Sequence, residues 1–365
     1  MKVLHIGLDD TLGGIERFII NYFNACSSNV FFGFITTVNE FKYSLDDMIK
    51  NKKYQVHHVT DITNPVKYVL SVKMIIDQFN YDVVHIHKNS LANILPIIAA
   101  KLSHVDKIIV HAHSSQPSRH RIIGSVLHKI NKNFLCQFKI ERLACSETAA
   151  EWMFGNKKST IIYNAINISE FQYNLEMRKK LRKKMNLDNN CLIIGSIARI
   201  SPEKNQLFLL NIIYRIIQKR PQSKLILIGG FGNSVEEIKY NEKVLDKIKK
   251  LHLENNVILL GSRDDAYKYY QVFDVFVLPS KWEGLGIVAI EAQVSGLKCI
   301  CSENIPSEAK VIDDIFVTLP LDDINSWCNE IIKPYERIDR YNEFINSNYN
   351  IDNEVKALMT IYNKQ

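Results

Sequence analysis

The sequence predicts an α/β fold of two doubly wound, Rossmann-like domains built on parallel sheets, and three observations carry that prediction. Short apolar runs of strand length alternate with stretches of helical spacing along the chain, the pattern of strand–helix–strand crossovers. Glycines follow several of the apolar runs, as they do where a parallel strand hands over to a helix at a ligand-binding edge. A length of 365 residues fits two domains of roughly 150 to 200 residues better than one.

In the first series, residues 3–7 read as a strand, Gly13-Gly14 as a turn and residues 15–26 as a helix. Further strands are expected at 31–37, 54–58, 83–87, 108–113 and 143–146, with helices at 66–79 and 93–102 between some of them. A second series runs through 191–198, 224–229, 256–261, 275–278 and 298–301. Residues 161–167, followed by Phe171 and a basic helix, read as the connection. The expected domains are therefore 1–165 and 166–347, and residues 353–362 read as a last helix.

Hydrophobic residues make up 46% and charged residues 23%, which excludes extended disorder as the main state. The first apolar run is far too short for a secretion signal, and no run approaches the ~20 residues that cross a bilayer. A cytoplasmic chain is expected. Seven cysteines, Cys26, Cys136, Cys145, Cys191, Cys299, Cys301 and Cys328, lack metal-type spacing and read as reduced, mostly buried thiols. The net charge of +7 is concentrated most clearly at 178–184. Apolar Leu175, Leu181 and Met185 interleave with that run as on a surface helix, and no nucleic-acid partner is expected.

The segment 279–292, Pro-Ser-Lys-Trp-Glu-Gly-Leu-Gly-Ile-Val-Ala-Ile-Glu-Ala, is the most informative. Pro279 stops a buried strand, and the turn at Gly284, Leu285 and Gly286 leaves backbone N–H groups unpaired at a helix start, which favours anions. Glu283 and Glu291 flank the turn, and ionised carboxylates accept hydrogen bonds from sugar or ribose hydroxyls. Arg199 and Lys204 lie in the loop after the strand 191–198, where a guanidinium and an ammonium can neutralise a phosphate that gains charge. Residues 225–232 run from a strand into glycines. His113 ends another strand, where an imidazole can hydrogen-bond a ligand or stabilise charge. Two His-x-His pairs, His85 with His87 and His111 with His113, raise a metal alternative, but no Cys or His-Glu-x-x-His ligand pattern accompanies them. Residues 116–134 carry basic residues among apolar ones, a pattern suited to an anionic acceptor or bilayer surface as well as to a solvated helix face.

The Glu-x7-Glu spacing around the glycine turn, with Arg-x4-Lys-Asn upstream of it, resembles the retaining glycosyltransferases of family 4. That resemblance implies the GT-B architecture, two Rossmann-like domains facing a deep interdomain cleft, with a C-terminal helix (348–365) crossing back to the first. It implies an N-terminal acceptor-side domain and a C-terminal nucleotide-sugar domain. In that assignment Glu291 binds ribose, Glu283 the donor sugar, and the amides of Gly284, Leu285 and Gly286 the sugar and phosphate. Ser262 and Arg263 frame the nucleobase, Gly14 approaches the donor, and Arg199 and Lys204 stabilise the departing diphosphate. His113 matches the family's histidine in the same site. Residues 164–167 resemble the family's Asn-Gly-[Ile/Val]-[Asp/Asn] link, with Ala165 in place of glycine.

The implied reaction moves a hexosyl or N-acetylhexosaminyl group, expected from a UDP-sugar, to a saccharide or lipid-linked saccharide with retention. No cofactor, metal or protein nucleophile is needed. The chain also contains no Asp-x-Asp pair, by which glycosyltransferases of the other major fold hold a metal-bound donor. A cell-surface polysaccharide or glycolipid pathway, with peripheral contact at the cytosolic face of a membrane, is the implied context. The rival readings are a nonhydrolysing sugar-nucleotide epimerase and a noncatalytic nucleotide-sugar-binding subunit.

Overall fold

A computed structural model describes the chain except residues 10–12, 27–28, 39, 42–43, 50–53, 115–121, 136, 189, 233 and 365, and the side chains of 47, 48 and 122. The chain divides into two compact units. Unit 1 comprises Met1–Ile166 with Asn348–Gln365, and unit 2 comprises Asn167–Ser347.

Unit 1 is built on β1 (Lys2–Ile6), β2 (Phe31–Thr36), β3 (Tyr54–His58), β4 (Val83–Lys88), β5 (Lys107–Ala112), β6 (Glu141–Ala144) and β7 (Thr160–Ile161). Their order is β3-β2-β1-β4-β5-β6-β7, and every pairing is parallel. Alternate strand residues serve opposite faces. Leu4, Ile6, Val84, Ile86, Val110 and Ala112 pack under helices Pro65–Phe79, Leu95–Leu102 and Glu147–Phe154. Val3, Val83, Ile109 and Leu143 pack with helices Gly14–Ala25 and Ile351–Asn363. The latter helix is fastened to the same unit by the backbone N–H of Tyr163, which donates to Glu354 Oε2 at 2.9 Å, and by Lys107 Nζ, which donates to the Ile361 carbonyl at 2.6 Å.

Unit 2 carries β8 (Ile193–Ile197), β9 (Lys224–Ile228), β10 (Val257–Leu259), β11 (Val275–Leu278), β12 (Lys298–Ser302) and β13 (Phe316–Leu319). They are ordered β10-β9-β8-β11-β12-β13 and are likewise parallel. Strand order reverses between β1 and β4 in unit 1 and between β8 and β11 in unit 2. In open parallel sheets the loops leaving such a pair at their carboxyl ends frame the ligand crevice.

Two edge strands go unread from the sequence. β7 is two residues long, inside the segment read as a connection, and β13 is a four-residue run too short for its own periodicity. The basic run at 178–184 also departs from a plain surface helix. Arg178 and Arg182 turn inward and share the carboxylate of Asp274. Arg178 also donates to the carbonyls of Gln271, Val272 and Phe273, and Arg182 to that of Cys191. A guanidinium has enough donors to satisfy several carbonyls and an acid together, so these two arginines staple the helix Leu175–Lys184 to the amino-terminal side of the second sheet.

Candidate active site

At the switch point of unit 2, β8 ends in a loop held from both sides. Gln206, 1% exposed, donates through Nε2 to the Arg199 carbonyl at 3.0 Å and accepts at Oε1 from the Ser201 N–H at 3.3 Å. Asn205 takes a left-handed conformation (φ 59°) and donates to the Pro279 carbonyl at 3.3 Å. The Lys281 N–H donates to the Glu203 carbonyl at 2.7 Å. The loops after β8 and β11 are thus tied backbone to backbone, which fixes the side chains they carry.

Those ties bring Lys204 against Glu283. Nζ donates to Glu283 Oε1 at 2.5 Å, and the Ser280 hydroxyl donates to the same oxygen at 2.7 Å. The Ser280 carbonyl in turn accepts from the Ser302 hydroxyl. Glu283 is 9% exposed and Lys204 24%, so the ammonium keeps part of its surface open. The Cys301 thiol is pushed well up, first by burial and then by the charge of Glu283. Among the described residues other than its chain neighbours, nothing lies within 4 Å of where a Cβ on Gly284 would stand; Leu285 is buried, and Gly286 takes φ 81° as it opens the helix Ile287–Val294. That left-handed conformation suits glycine. In the helix, Glu291 is 8% exposed and accepts at Oε2 from the Tyr270 hydroxyl at 2.5 Å.

The neighbouring strand ends complete the rim. The Gly229 N–H donates to the Gly261 carbonyl at 2.8 Å, and the Ile200 N–H donates to the Gly230 carbonyl at 2.9 Å. Gly229 has φ 147°, and a Cβ there would stand 2.1 Å from the Ala198 carbonyl oxygen. A glycine is required where these two backbones cross. Ser262 lies close to Gly230. Arg263 donates through Nε to Asp265 Oδ1 at 2.8 Å with its guanidinium 5.0 Å from the Tyr269 ring centroid. The bond to Asp265 raises the Arg263 pKa and lowers that of its partner. Arg199 is 61% exposed, with Nε 3.4 Å from Glu237 Oε1. The structure pairs Lys204 with Glu283, whereas Arg199 turns to Glu237.

In unit 1, Gly14 opens the helix Gly14–Ala25 and is exposed. Glu16 reaches back from the helix, its carboxylate accepting from the N–H groups of Gly13 at 2.9 Å and Asp9 at 3.2 Å. Burial raises the pKa of Glu16. His113 follows β5, with its ring edge-on to Phe18. It belongs to a layer of five imidazoles. His5 Nδ1 bonds His87 Nε2 at 2.8 Å, His87 Nδ1 bonds His113 Nε2 at 2.9 Å, and His85 joins His111 at 3.2 Å and the Tyr362 hydroxyl at 2.7 Å. His113 Nδ1 and His111 Nε2 are buried and have no hydrogen-bond partner among the described residues. Burial pushes His5 and His113 down to about 3 and the other three well below their usual range, so all five are neutral near pH 7. The groups His5, His85, His87 and His87, His111, His113 bring ligand atoms within 4.8 Å of one another. In the first group His5 Nδ1 and His87 Nε2 are already bonded to each other, and neither group contains a carboxylate or thiolate.

Sequence reading missed Tyr270, Ser280, Gln206, Glu16 and His5. His5, a lone histidine on an apolar strand, carries no signal until β1 and β4 are paired in register. The Glu in Gly-Gly-x-Glu was legible as a latch, because a carboxylate three residues into a helix can reach back to the turn's N–H groups.

Two family models match the chain. Glycosyl transferases group 1 covers residues 177–351 and Glycosyltransferase Family 4 covers residues 13–170. The chain is a glycosyltransferase of the family 4 type. Arg199, Lys204, Glu283 and Glu291 fall within the first match, and Gly14 and His113 within the second. This glycosyltransferase is 26% identical over 385 residues to the putative glycosyltransferase EpsF of Bacillus subtilis, an alignment covering 99% of the chain and 96% of the relative. It is 25% identical to the UDP-Gal:alpha-D-GlcNAc-diphosphoundecaprenol alpha-1,3-galactosyltransferase of Escherichia coli, over 91% of the chain and 87% of the relative. Among solved structures it is similar to Anabaena Alr3699/HepE in complex with UDP and glucose, with TM-score 0.73, 18% identity, and 99% and 95% of the two chains covered. Its two parallel-sheet units match the GT-B fold of such enzymes.

Proposed function

We propose that the chain transfers a hexosyl or N-acetylhexosaminyl group from a UDP-sugar to a saccharide or lipid-linked saccharide hydroxyl, with retention and without a metal, in the assembly of a cell-surface polysaccharide or glycolipid. The observation that carries this reading is the pair of held carboxylates on either side of the Gly284–Gly286 turn, Glu283 against Lys204 and Glu291 against Tyr270. Glu291 would accept from the ribose hydroxyls and Glu283 from hydroxyls of the donor sugar. The turn amides and the first amides of the helix would meet the phosphate region.

Lys204 supplies the charge that grows in importance as the reaction proceeds. Its ammonium has three donors, one of them given to Glu283, and its open surface lets another meet the departing diphosphate. Arg199, exposed and beside Glu237, would join it when the donor arrives. Cationic groups aimed at a leaving phosphate stabilise the transition state more than the ground state, which is the role a bound cation fills elsewhere. Ser262 and Arg263 would border the base. In unit 1, neutral His113 would hydrogen-bond the transferred sugar, and Gly14 would let backbone approach the donor. The uridine donor and the lipid-linked acceptor are supported by relatives whose names include UDP, UDP-Gal and a diphosphoundecaprenol sugar. Action at the cytosolic face of a membrane, with peripheral contact, belongs to the same proposal.

The test is nucleotide release from UDP-, GDP-, ADP- and dTDP-sugars in EDTA, with and without a polyprenyl-diphosphate sugar, using Glu291→Ala as control. Acceptor-dependent UDP release by the wild type alone is expected. Release of a different nucleotide overturns the uridine assignment, and conversion of the donor to its epimer without transfer overturns the reaction.

A further inference from the structure

The helix Ile122–Leu135 is built inside out. Ile123, Val126, Leu127, Ile130 and Phe134 are 75%, 51%, 42%, 59% and 43% exposed. At 3.6 residues per turn they fall within an arc of about 100°. The opposite side is held by the protein, through buried Leu135 and through polar side chains. His128 is buried, stacked 4.1 Å from the Trp152 ring, with Nδ1 accepting from the Leu91 N–H at 3.0 Å and Nε2 donating to the Trp152 carbonyl at 3.2 Å. Asn131 donates to the Leu91 carbonyl at 2.7 Å, and Lys132 Nζ donates to the carbonyls of Glu151 and Trp152 at 2.8 and 2.9 Å. A surface helix that faces water normally presents the reverse arrangement, and a contiguous apolar stripe of this kind marks an interaction surface.

Charge selects the occupant. Between Asp106 and Glu141 the sequence has no acidic residue and six basic ones, Lys107, Arg119, Arg121, Lys129, Lys132 and Lys139. Lys129 is exposed on the flank of the stripe. A second copy docking through this stripe would set one basic, acid-free segment against another. An anionic lipid surface supplies both the apolar interior for the stripe and the negative headgroups for the flank.

We propose that this helix lies in the interface of an anionic bilayer, with Ile123, Val126, Leu127, Ile130 and Phe134 entering the acyl boundary and Lys129 meeting headgroups. The inference rests on the membrane contact of the proposed function and names the element that makes it. In the plane of the interface the inner His128–Asn131–Lys132 side stays bonded to unit 1, so docking needs no unfolding of the helix.

Flotation of the full-length chain with phosphatidylcholine vesicles, with and without phosphatidylglycerol, tests it. The wild type is expected to float with the anionic vesicles and to lose roughly tenfold in binding when the anionic lipid is removed or salt is raised. Ile123→Ser with Ile130→Ser is expected to lose roughly tenfold or more, whereas Ile123→Leu with Ile130→Leu keeps binding. Both variants should retain the wild-type melting profile. Wild-type protein that stays unbound, or a serine variant that floats equally well, overturns the proposal. A dimer of the wild type that dissociates in the serine variant, without vesicle binding, assigns the stripe to a second copy instead. The serine variant is expected to keep nucleotide release with a water-soluble acceptor, so loss of flotation is distinguishable from failure of the transferase reading.

Discussion

Unit 1 contains every histidine of the chain except His252, and five of them form one layer on β1, β4 and β5 and the residue after β5, four buried and His113 partly so. Unit 2 places fixed charges in the corresponding region of its own sheet, with Lys204, Glu283, Arg199 and Glu291 on loops tied to one another. The same doubly wound sheet therefore supports two kinds of edge. One carries acidic and basic side chains held by partners and suits a charged nucleotide. The other is neutral, aromatic-rich and titratable, and unit 1 also turns the apolar side of a helix outward.

The largest expected consequence of that difference is acid sensitivity confined to unit 1. The five imidazoles are depressed chiefly by burial, so below about pH 6.5 the unfolded chain binds protons that the native layer refuses. Stability falls as pH drops from there, each histidine that stays neutral in the native layer adding to the slope. Glu16 and Glu354, raised chiefly by burial, work in the opposite direction at lower pH, as two groups against five. Hydrogen exchange at pH 7 and 5, corrected for intrinsic rates, should show the amides of β1, β4 and β5 losing protection while β8 and β11 keep theirs. Equal loss in both units would break the comparison.

Next in size is Lys204→Ala, expected to lower kcat by roughly 100- to 1,000-fold with a smaller change in donor KM, because the ammonium acts mostly on the leaving diphosphate. Steady-state rates separate the two. A pure KM effect would make Lys204 only a partner that holds Glu283 in place. Smaller still is Tyr270→Phe, which removes the hydroxyl bonded to Glu291 and should raise the donor KM roughly tenfold, the scale of one hydrogen bond to a charged group, with kcat nearly unchanged. An unchanged KM would show that Glu291 needs no such support.

Much of this was legible in residue order. Apolar runs and glycine exits locate the strands of both sheets except the edge strands β7 and β13, because a parallel strand buried on two faces is nearly continuous in hydrophobicity, and the Glu-x7-Glu segment marks the loop after β11. What was not legible depends on partners distant in sequence. Tyr270 precedes Glu291 by 21 residues and Gln206 works through backbone, so neither announces itself as part of a site. Arg178 and Arg182 look solvated until Asp274 is placed beside them. The helix at 122–135 shows an amphipathic pattern in the sequence, but only the packing of His128, Asn131 and Lys132 reveals which side faces outward.

The most direct test of the account is calorimetric titration of UDP into the wild type and into Glu291→Gln. The account predicts saturable UDP binding by the wild type and a dissociation constant roughly 10- to 100-fold higher in the variant, as expected when a charged acceptor for ribose hydroxyls becomes a neutral one. Equal affinity in the two proteins would contradict the assignment of the switch-point loops of unit 2 to the nucleotide.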